Sequence, residues 1–398
     1  MPTNEISVLT HEMSSEEDAS GLTEGLALCL SGGGYRAMLY HAGALLRLNE
    51  FGLLSQLSRV SSVSGGSITA GMLALGWDRL AWTEDRRRIT PESLQAEVIE
   101  PLRGLASTTI DVSAIGWGIV NPFASISDEV VAAYDEYLFA GATLQDLPTE
   151  SLTAEPMVPR FVFTATNVKT GSLWRFAKAY MADYRVGLVE APEVPLAVAV
   201  AASSAFPPFL SPLRMSLDDY SFRDGIPAEE VARSLRAEAV LTDGGVYDNL
   251  GLEPVWKRFK TVLISDGGRP AEVDLQPADD WARHSRRLLD LLQQQIGSLR
   301  VREVIGDFKN PNEPHTGAYW GIGTDPSRYP ASNPLGAAFD ATWTIATIPT
   351  RLAELSDTDQ ERIINWGYAA CDLSVRSYLT ERGPFDPPDG FPFPESGL

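Results

Sequence analysis

The chain has 398 residues, of which 44% are hydrophobic, and a formal net charge of −21 at pH 7. That length can bury a substantial core and fits one large α/β domain or two domains. The acidic balance argues against nucleic acid as a partner, because phosphate contacts require clustered lysines and arginines. Two cysteines argue against a disulfide scaffold and fit a reducing compartment.

The two ends of the chain differ in composition from the part between them. Residues 1–23 are polar and acidic without an apolar signal segment, and we expect a mobile tail there. Residues 24–382 are predicted to form a single domain, and the turn-rich residues 383–398 an irregular tail. No apolar run reaches 18 residues, so no transmembrane segment is predicted. We expect a cytoplasmic protein that can contact a membrane surface transiently.

Between the tails, short β-like runs alternate with helical patterns. Strands are predicted at 26–30, 59–63, 160–166, 238–241 and 261–264. Helices are predicted at 36–50, 66–75, 197–205 and 281–305, where apolar residues recur at helical spacing. This alternation predicts an α/β fold, with a mostly parallel central sheet covered by helices on both faces. An open sheet of this kind places its site at the carboxyl ends of its strands.

A glycine cluster, Ser-Gly-Gly-Gly-Tyr-Arg at 31–36, follows the first predicted strand and opens a helix. Successive glycines let backbone N–H groups point into one concavity, which can hold an oxyanion or a phosphate. The spacing matches neither the dinucleotide fingerprint nor the nucleotide P-loop, so no cofactor is predicted. Arg36 lies in the first helical turn, where a cation is unfavourable to the dipole, which suggests that it steers a phosphate or braces the loop.

A second cluster, Ser-Val-Ser-Gly-Gly at 62–66, lies between a predicted strand and a predicted helix. It resembles the nucleophile elbow G-x-S-x-G, with Ser62 at the first glycine position. Small residues flank the central serine because the turn brings backbones close together. Ser64 is therefore the candidate nucleophile, and Ser67 is better explained as an early-helix serine that bonds to backbone.

Two carboxylates can serve as the base for that serine. Asp243 and Asp266 each end a predicted strand and each precede two glycines. Local chemistry alone leaves both candidates open. A metal site is not predicted.

Histidine is the usual base for a serine nucleophile, and the chain has four. His284 or His315 would give the chain order of a Ser–Asp–His triad. However, His284 lies among arginines on a helix, His315 lies in a polar loop, and His41 lies within a helix. A Ser–Asp dyad is the alternative, because desolvation raises the basicity of a carboxylate.

Taken together, these segments resemble the patatin-like phospholipase family in its bacterial form. The glycine loop and the end of the elbow, 65–67, are also similar to those of eukaryotic cytosolic phospholipases. Two further segments, 163–171 and 201–207, resemble the middle strand and the alanine-serine helix of the family. The resemblance covers roughly residues 24–270.

The resemblance implies a patatin-like fold and hydrolysis of lipid or phospholipid acyl esters, of the phospholipase A or lysophospholipase type. It implies Ser64 as the nucleophile and Asp243 as the base, since a Val-x-x-Asn tail follows Asp243 and not Asp266. The oxyanion hole would be the backbone of three glycines with a supporting arginine: Gly32, Gly33, Gly34 and Arg36.

Two alternatives remain beside this interpretation. One is an esterase with a Ser–Asp–His triad, and the other is a non-catalytic lipid- or protein-binding module on the same fold. A separate hypothesis concerns residues 110–126, an apolar run broken by glycine and proline and containing Trp117. We expect this run to help form a lipid entry surface.

Overall fold

The computed structural model describes residues 21–110, 126–207, 210–223, 229–270 and 273–398. Most of the predicted amino-terminal tail and nearly all of the hypothetical lipid entry surface, Trp117 included, lie outside these described residues.

The described residues form one ten-stranded mixed sheet. Its strands are β1 Thr23–Leu30, β2 Leu57–Ser62, β3 Arg160–Asn167, β4 Ser172–Phe176, β5 Tyr180–Asp183, β6 Gly187–Glu190, β7 Leu213–Ser216, β8 Glu238–Asp243, β9 Phe259–Asp266 and β10 Thr316–Gly321. The order is β10-β9-β1-β2-β3-β4-β5-β6, and the first five of these strands are parallel to their neighbours. Strands β4 to β6 extend the sheet with antiparallel pairs.

Helices connect and cover these strands. They are α1 Gly34–Glu50, α2 Gly65–Gly76, α3 Pro91–Leu94, α4 Glu100–Ala106, α5 Ile126–Tyr134, α6 Leu196–Ser203, α7 Glu229–Ala237, α8 Gly245–Asp248, α9 Trp281–Lys309, α10 Phe339–Ala346 and α11 Asp357–Tyr378. The strands and helices predicted from the sequence are all present, with bounds shifted by a few residues. The predicted α/β class with a mostly parallel central sheet is confirmed.

The side-chain alternation of β1 shows why both faces of the sheet are covered. Leu26, Leu28 and Leu30 point into a large apolar cluster that includes residues of α1, α2 and α11. Ala27 and Cys29 point to the opposite face, into a smaller cluster that Val304 of α9 completes. Each face of the parallel strands therefore packs against helices.

Strand β8 brings distant parts of the chain together at one edge of β3. The first half of β3 pairs with β2 in parallel, up to Ser62 opposite Phe163. The second half pairs with β8 in antiparallel register, with Asp243 opposite Ala165. Strand β4 occupies the other edge of β3. The carboxyl ends of β2 and β8 therefore meet head to head, and the residues that follow each strand become neighbours.

Residues 383–398 contain no helix or strand, but they are held against the domain. The Asn365 amide of α11 donates to the carbonyl oxygens of Phe393 and Gly397, at 2.8 and 2.7 Å. The Arg103 guanidinium lies 4.9 Å from the centre of the Phe393 ring.

None of the described helices is long and apolar enough to cross a lipid bilayer.

Candidate active site

Ser64 occupies a strained turn between β2 and α2. Its backbone angles, φ 51° and ψ −121°, lie where residues other than glycine are rare. A Cβ atom added at the next residue, Gly65, would lie 2.2 Å from the carbonyl oxygen of Gly34, so only glycine fits. The elbow therefore packs directly against the glycine loop. Ser64 is 7% exposed.

Asp243 is the last residue of β8 and is 2% exposed. Its Oδ1 accepts a hydrogen bond of 2.7 Å from the N–H of Gly245. Its Oδ2 is buried and has no hydrogen-bond partner among the described residues. Burial raises the pKa of Asp243 to about 7, although the Gly245 N–H and the neighbouring Ser64 hydroxyl favour the ionised form. The carboxylate is therefore a far stronger base than an exposed aspartate.

The glycine loop offers two free N–H groups at the start of α1. The N–H of Gly32 donates to the carbonyl oxygen of Asn249 at 3.1 Å and is therefore occupied. The N–H groups of Gly33 and Gly34 have no acceptor among the described residues. Gly33 has φ 149° and Gly34 has φ 61°, conformations that favour glycine. Free donors at a helix amino terminus attract an anionic oxygen.

Ser203, at the end of α6, holds the two candidate catalytic residues in position. Its hydroxyl accepts a hydrogen bond of 2.9 Å from the N–H of Ser64. Its carbonyl oxygen accepts one of 3.1 Å from the N–H of Gly244, directly after Asp243. The Ser67 hydroxyl lies 2.8 Å from that of Ser203 and completes the contact. Ser203 lies in the small-residue run 201–207, and the sequence alone predicts no role for it.

Ser62 fits the elbow position that is commonly glycine. Its side chain is fully buried, accepts from the Ser67 hydroxyl at 3.0 Å and donates to the carbonyl oxygen of Val162 at 3.3 Å. The hydroxyl therefore has partners on both sides and braces the strand end.

Asn249 was noticed in the sequence only as part of the tail after Asp243. In the structure its side chain lies between two glycine clusters. A Cβ added at Gly32 or at Gly245 would lie 2.5 Å from Asn249 Oδ1. The asparagine therefore spaces the glycine loop from the turn that follows Asp243.

Arg36 is fully buried and braces backbone around the glycine loop. Its Nη2 donates to the carbonyl oxygen of Gly267 at 2.9 Å, and its Nη1 donates to that of Ile348. The guanidinium also lies beside the glycine loop, 3.2 Å from where a Cβ of Gly33 would stand. The side chain thus joins the loop to the segments after β9 and α10.

Asp266, the other candidate carboxylate, has partners on both oxygens. Oδ2 accepts from the Tyr319 hydroxyl at 2.8 Å, and Oδ1 accepts from the N–H of Gly268 at 2.9 Å. Burial raises the pKa of this group as well. Both oxygens of Asp266 are therefore occupied, whereas Asp243 Oδ2 has no partner among the described residues. Asp266 is for this reason less suited to accept a proton from Ser64.

The three histidines in the described residues, His41, His284 and His315, lie in different environments. His41 is fully buried, with Nε2 2.9 Å from the carbonyl oxygen of Ser31 and Nδ1 2.7 Å from the Ser265 hydroxyl. A carbonyl can only accept, so Nε2 carries the proton and Nδ1 accepts. Burial lowers the pKa of His41 to about 4, which keeps it neutral.

His315 precedes β10, at the amino ends of the parallel strands and therefore at the edge opposite Ser64. Its ring stacks on Trp256 with centroids 3.9 Å apart. His284 is exposed on α9. Neither is placed by the fold between Ser64 and Asp243.

We expect no single histidine to be essential for ester turnover. Replacing His41, His284 or His315 by glutamine should leave hydrolysis of a short-chain p-nitrophenyl ester within about tenfold of wild type, because none contacts the candidate base. His41→Gln should also lower the melting temperature, since two buried groups lose their partner. A folded variant that loses more than about a thousandfold would instead establish a triad.

No group of three or more His, Cys, Asp and Glu side chains in the described part of the chain is arranged to hold a metal ion.

The elbow serine, the buried carboxylate and the glycine loop lie together at the carboxyl ends of the strands, an arrangement that resembles the nucleophilic site of serine hydrolases on α/β folds. The chain belongs to the patatin-like phospholipase family, whose sequence profile matches residues 28–256.

Solved structures give further comparisons. Human GIVD cytosolic phospholipase A2 in complex with methyl γ-linolenyl fluorophosphonate aligns at a TM-score of 0.50 and 13% identity, covering 92% of this chain and 60% of that one. VipD from Legionella pneumophila aligns at a TM-score of 0.35 and 15% identity, covering 88% of this chain and 66% of that one. The chain thus covers about three fifths of the human protein's length, and at 13% identity the likeness concerns the fold alone. No curated protein sequence matches this chain.

Proposed function

We propose that the protein is a serine lipid acyl hydrolase of the phospholipase A or lysophospholipase type, which cleaves carboxylic esters through a Ser64–Asp243 dyad. One observation carries the proposal: Asp243 Oδ2 is buried directly beside an elbow serine and has no hydrogen-bond partner among the residues that the structure describes. A buried carboxylate oxygen without a partner lowers the stability of the fold. Groups of this kind cluster at functional sites, and here the function would be to accept the proton of Ser64.

The reaction needs one proton acceptor and no histidine. Ser64 Oγ attacks the ester carbonyl carbon while its proton passes to Asp243 Oδ2. The tetrahedral intermediate then expels the alcohol, which takes the proton back from Asp243. Water attacks the acyl-enzyme by the same route, with Asp243 accepting its proton, and the fatty acid leaves as Ser64 is regenerated.

The oxyanion of each tetrahedral intermediate would lie against the N–H groups of Gly33 and Gly34. Loss of one such donor typically costs about 3 kcal/mol of transition-state stabilisation. In this proposal the N–H of Gly32 fixes the loop through its hydrogen bond to the Asn249 carbonyl oxygen. Arg36 supports the same loop through its hydrogen bond to the Gly267 carbonyl oxygen.

The two rival functions are less well supported. A triad would need a histidine near Asp243, and His41 already uses both ring nitrogens elsewhere. A pure binding module would gain nothing from a serine held at φ 51° next to a carboxylate whose pKa is about 7. Family membership favours a lipid ester as the substrate.

A fluorophosphonate probe tests the proposal in one step. The human phospholipase structure contains methyl γ-linolenyl fluorophosphonate, so a probe of this class with a lipid-like chain is a suitable choice. We expect covalent labelling of the native protein at Ser64, located by peptide mass spectrometry, and no labelling of Ser64→Ala. Heat-denatured wild type is the control for non-specific reaction. A folded native protein that takes up no probe would favour the binding module.

A further inference from the structure

Helix α9 is longer than the strands that it connects. Its 29 residues span about 43 Å at 1.5 Å per residue. Strand β9, which precedes it, has 8 residues and spans about 26 Å. One end of α9 must therefore extend beyond the sheet.

The carboxyl-terminal third of α9, from Val301 onward, is the part that packs on the sheet. Val301, Val304 and Phe308 join the apolar cluster on one face of β1 and β9, next to Trp256. Because α9 leads from the carboxyl end of β9 to the amino end of β10, its amino-terminal half lies on the side of the strand carboxyl ends. Ser64 and Asp243 lie on that same side.

The helix leaves the body of the protein close to the candidate site. Arg300 pairs with Glu253 at 2.7 Å and lies near Tyr247 and Asp248, in and after the turn that follows Asp243. The residues before Arg300 therefore extend outward from a point beside the site.

The projecting part of α9, Trp281–Leu299, exposes an apolar stripe. The stripe consists of six side chains, each between 46% and 83% exposed: Trp281, Leu288, Leu289, Leu292, Ile296 and Leu299. Most of these residues are spaced by three, four or seven positions, which places them on one helical face. Val273 and Leu275, 85% and 87% exposed, precede the helix in the loop after β9. An apolar surface of this size on one element marks an interaction site.

The charge of this helix is opposite to that of the chain. Residues 281–299 contain three arginines and one aspartate, although the chain as a whole carries −21. A helix with an apolar stripe, a terminal tryptophan and flanking arginines is typical of elements that lie in a lipid interface. A second copy of the chain would fit less well, because arginine-rich helices and two acidic bodies would then face one another.

We propose that the projecting part of α9, Trp281–Leu299, docks the protein on the surface of a phospholipid bilayer, on the side of the sheet where Ser64 and Asp243 lie. The proposal rests on the proposed lipid hydrolase function for its purpose, although docking itself requires no catalysis. The stripe inserts among the lipid headgroups and upper acyl chains, while the arginines remain at the phosphate level. A lipid leaving the bilayer would then enter the protein close to Ser64.

Vesicle flotation on a Ser64→Ala background tests docking independently of hydrolysis. The vesicles contain phosphatidylcholine with a fifth of phosphatidylglycerol. We expect the Leu288→Gln/Leu292→Gln double variant to bind at least about tenfold less protein per lipid than its parent, because two inserted leucines are lost. Both positions are exposed, so the melting temperature should stay the same. Leu152→Gln, at an exposed leucine outside α9, is the matched control and should bind like the parent.

Three results would overturn docking. The first is a parent protein that does not float with the vesicles, and the second is a double variant that floats as well as the parent. The third is a parent that is dimeric by light scattering and becomes monomeric in the double variant, since the stripe would then join two copies. If the parent floats but wild type never reacts with the fluorophosphonate probe, the proposed hydrolase function fails and the docking surface stands.

Discussion

Asp243→Asn should abolish ester hydrolysis, whereas Asp266→Asn should retain most of it. An asparagine at 243 cannot accept the proton of Ser64, so turnover of a p-nitrophenyl ester should fall by about 10⁴-fold or more. Turnover by Ser64→Ala should fall at least as far, because this substitution removes the nucleophile itself. Asp266 already has partners on both oxygens, and an asparagine there can still accept a hydrogen bond from the Tyr319 hydroxyl.

The paired design makes Asp266→Asn the matched control for Asp243→Asn. Both aspartates end a strand, both precede two glycines, and burial raises the pKa of both carboxyl groups. Melting temperatures must show that both variants are folded. An inactive Asp266→Asn beside an active Asp243→Asn would mean that the other carboxylate is the base.

The sequence predicted this site in pieces, because each piece has a local signature. A strand, then small residues, then a helix is visible around Ser64 and around the glycine loop. Local chemistry could not choose between Asp243 and Asp266, since the two share the same pattern. The structure distinguishes the two aspartates, because Asp243 ends the antiparallel strand β8, which meets the carboxyl end of β2. Pairing partners so distant in the chain leave no local signal.

The contacts that position the site were also beyond sequence reasoning. Ser203 binds Ser64 and the residue after Asp243 at once, and only the fold brings these segments together. Likewise, three glycines in a row suggest three free donors, but the Gly32 N–H is used by Asn249. The number of free donors depends on a residue far along the chain.

Several elements after residue 300 were missed for a different physical reason. Helix α11 buries Gln360, Asn365 and Asp372 along with its apolar residues, which obscures the helical period. Asp372 is buried because it pairs with Arg47 of α1, at 2.7 Å, and with Arg376. Strand β10, Thr-Gly-Ala-Tyr-Trp-Gly, is short and bounded by glycine, so it gives little alternation to detect.

The raised pKa of Asp243 should make the folded protein less stable as the pH rises, and Asp243→Asn should remove that loss. The unfolded chain releases this proton near pH 3.8, whereas the folded protein keeps it until about pH 7. The wild-type stability contributed by this group is therefore complete below pH 3.8, falls as the pH rises towards 7, and is constant above it. At about 1.4 kcal/mol per pH unit, the loss between pH 5 and pH 8 is about 3 kcal/mol.

Urea unfolding of wild type and Asp243→Asn at a series of pH values measures this effect. The difference in unfolding free energy should grow in favour of the variant by about 3 kcal/mol from pH 5 to pH 8, and then stay constant. All other titratable groups are common to both proteins, so their contributions largely cancel. For wild type, kcat/KM should rise over the same range with an apparent pKa near 7, since only the ionised carboxylate accepts a proton. Stability curves that remain parallel, with an activity profile already flat at pH 5, would show that Asp243 has an ordinary pKa and would remove the basis for the dyad.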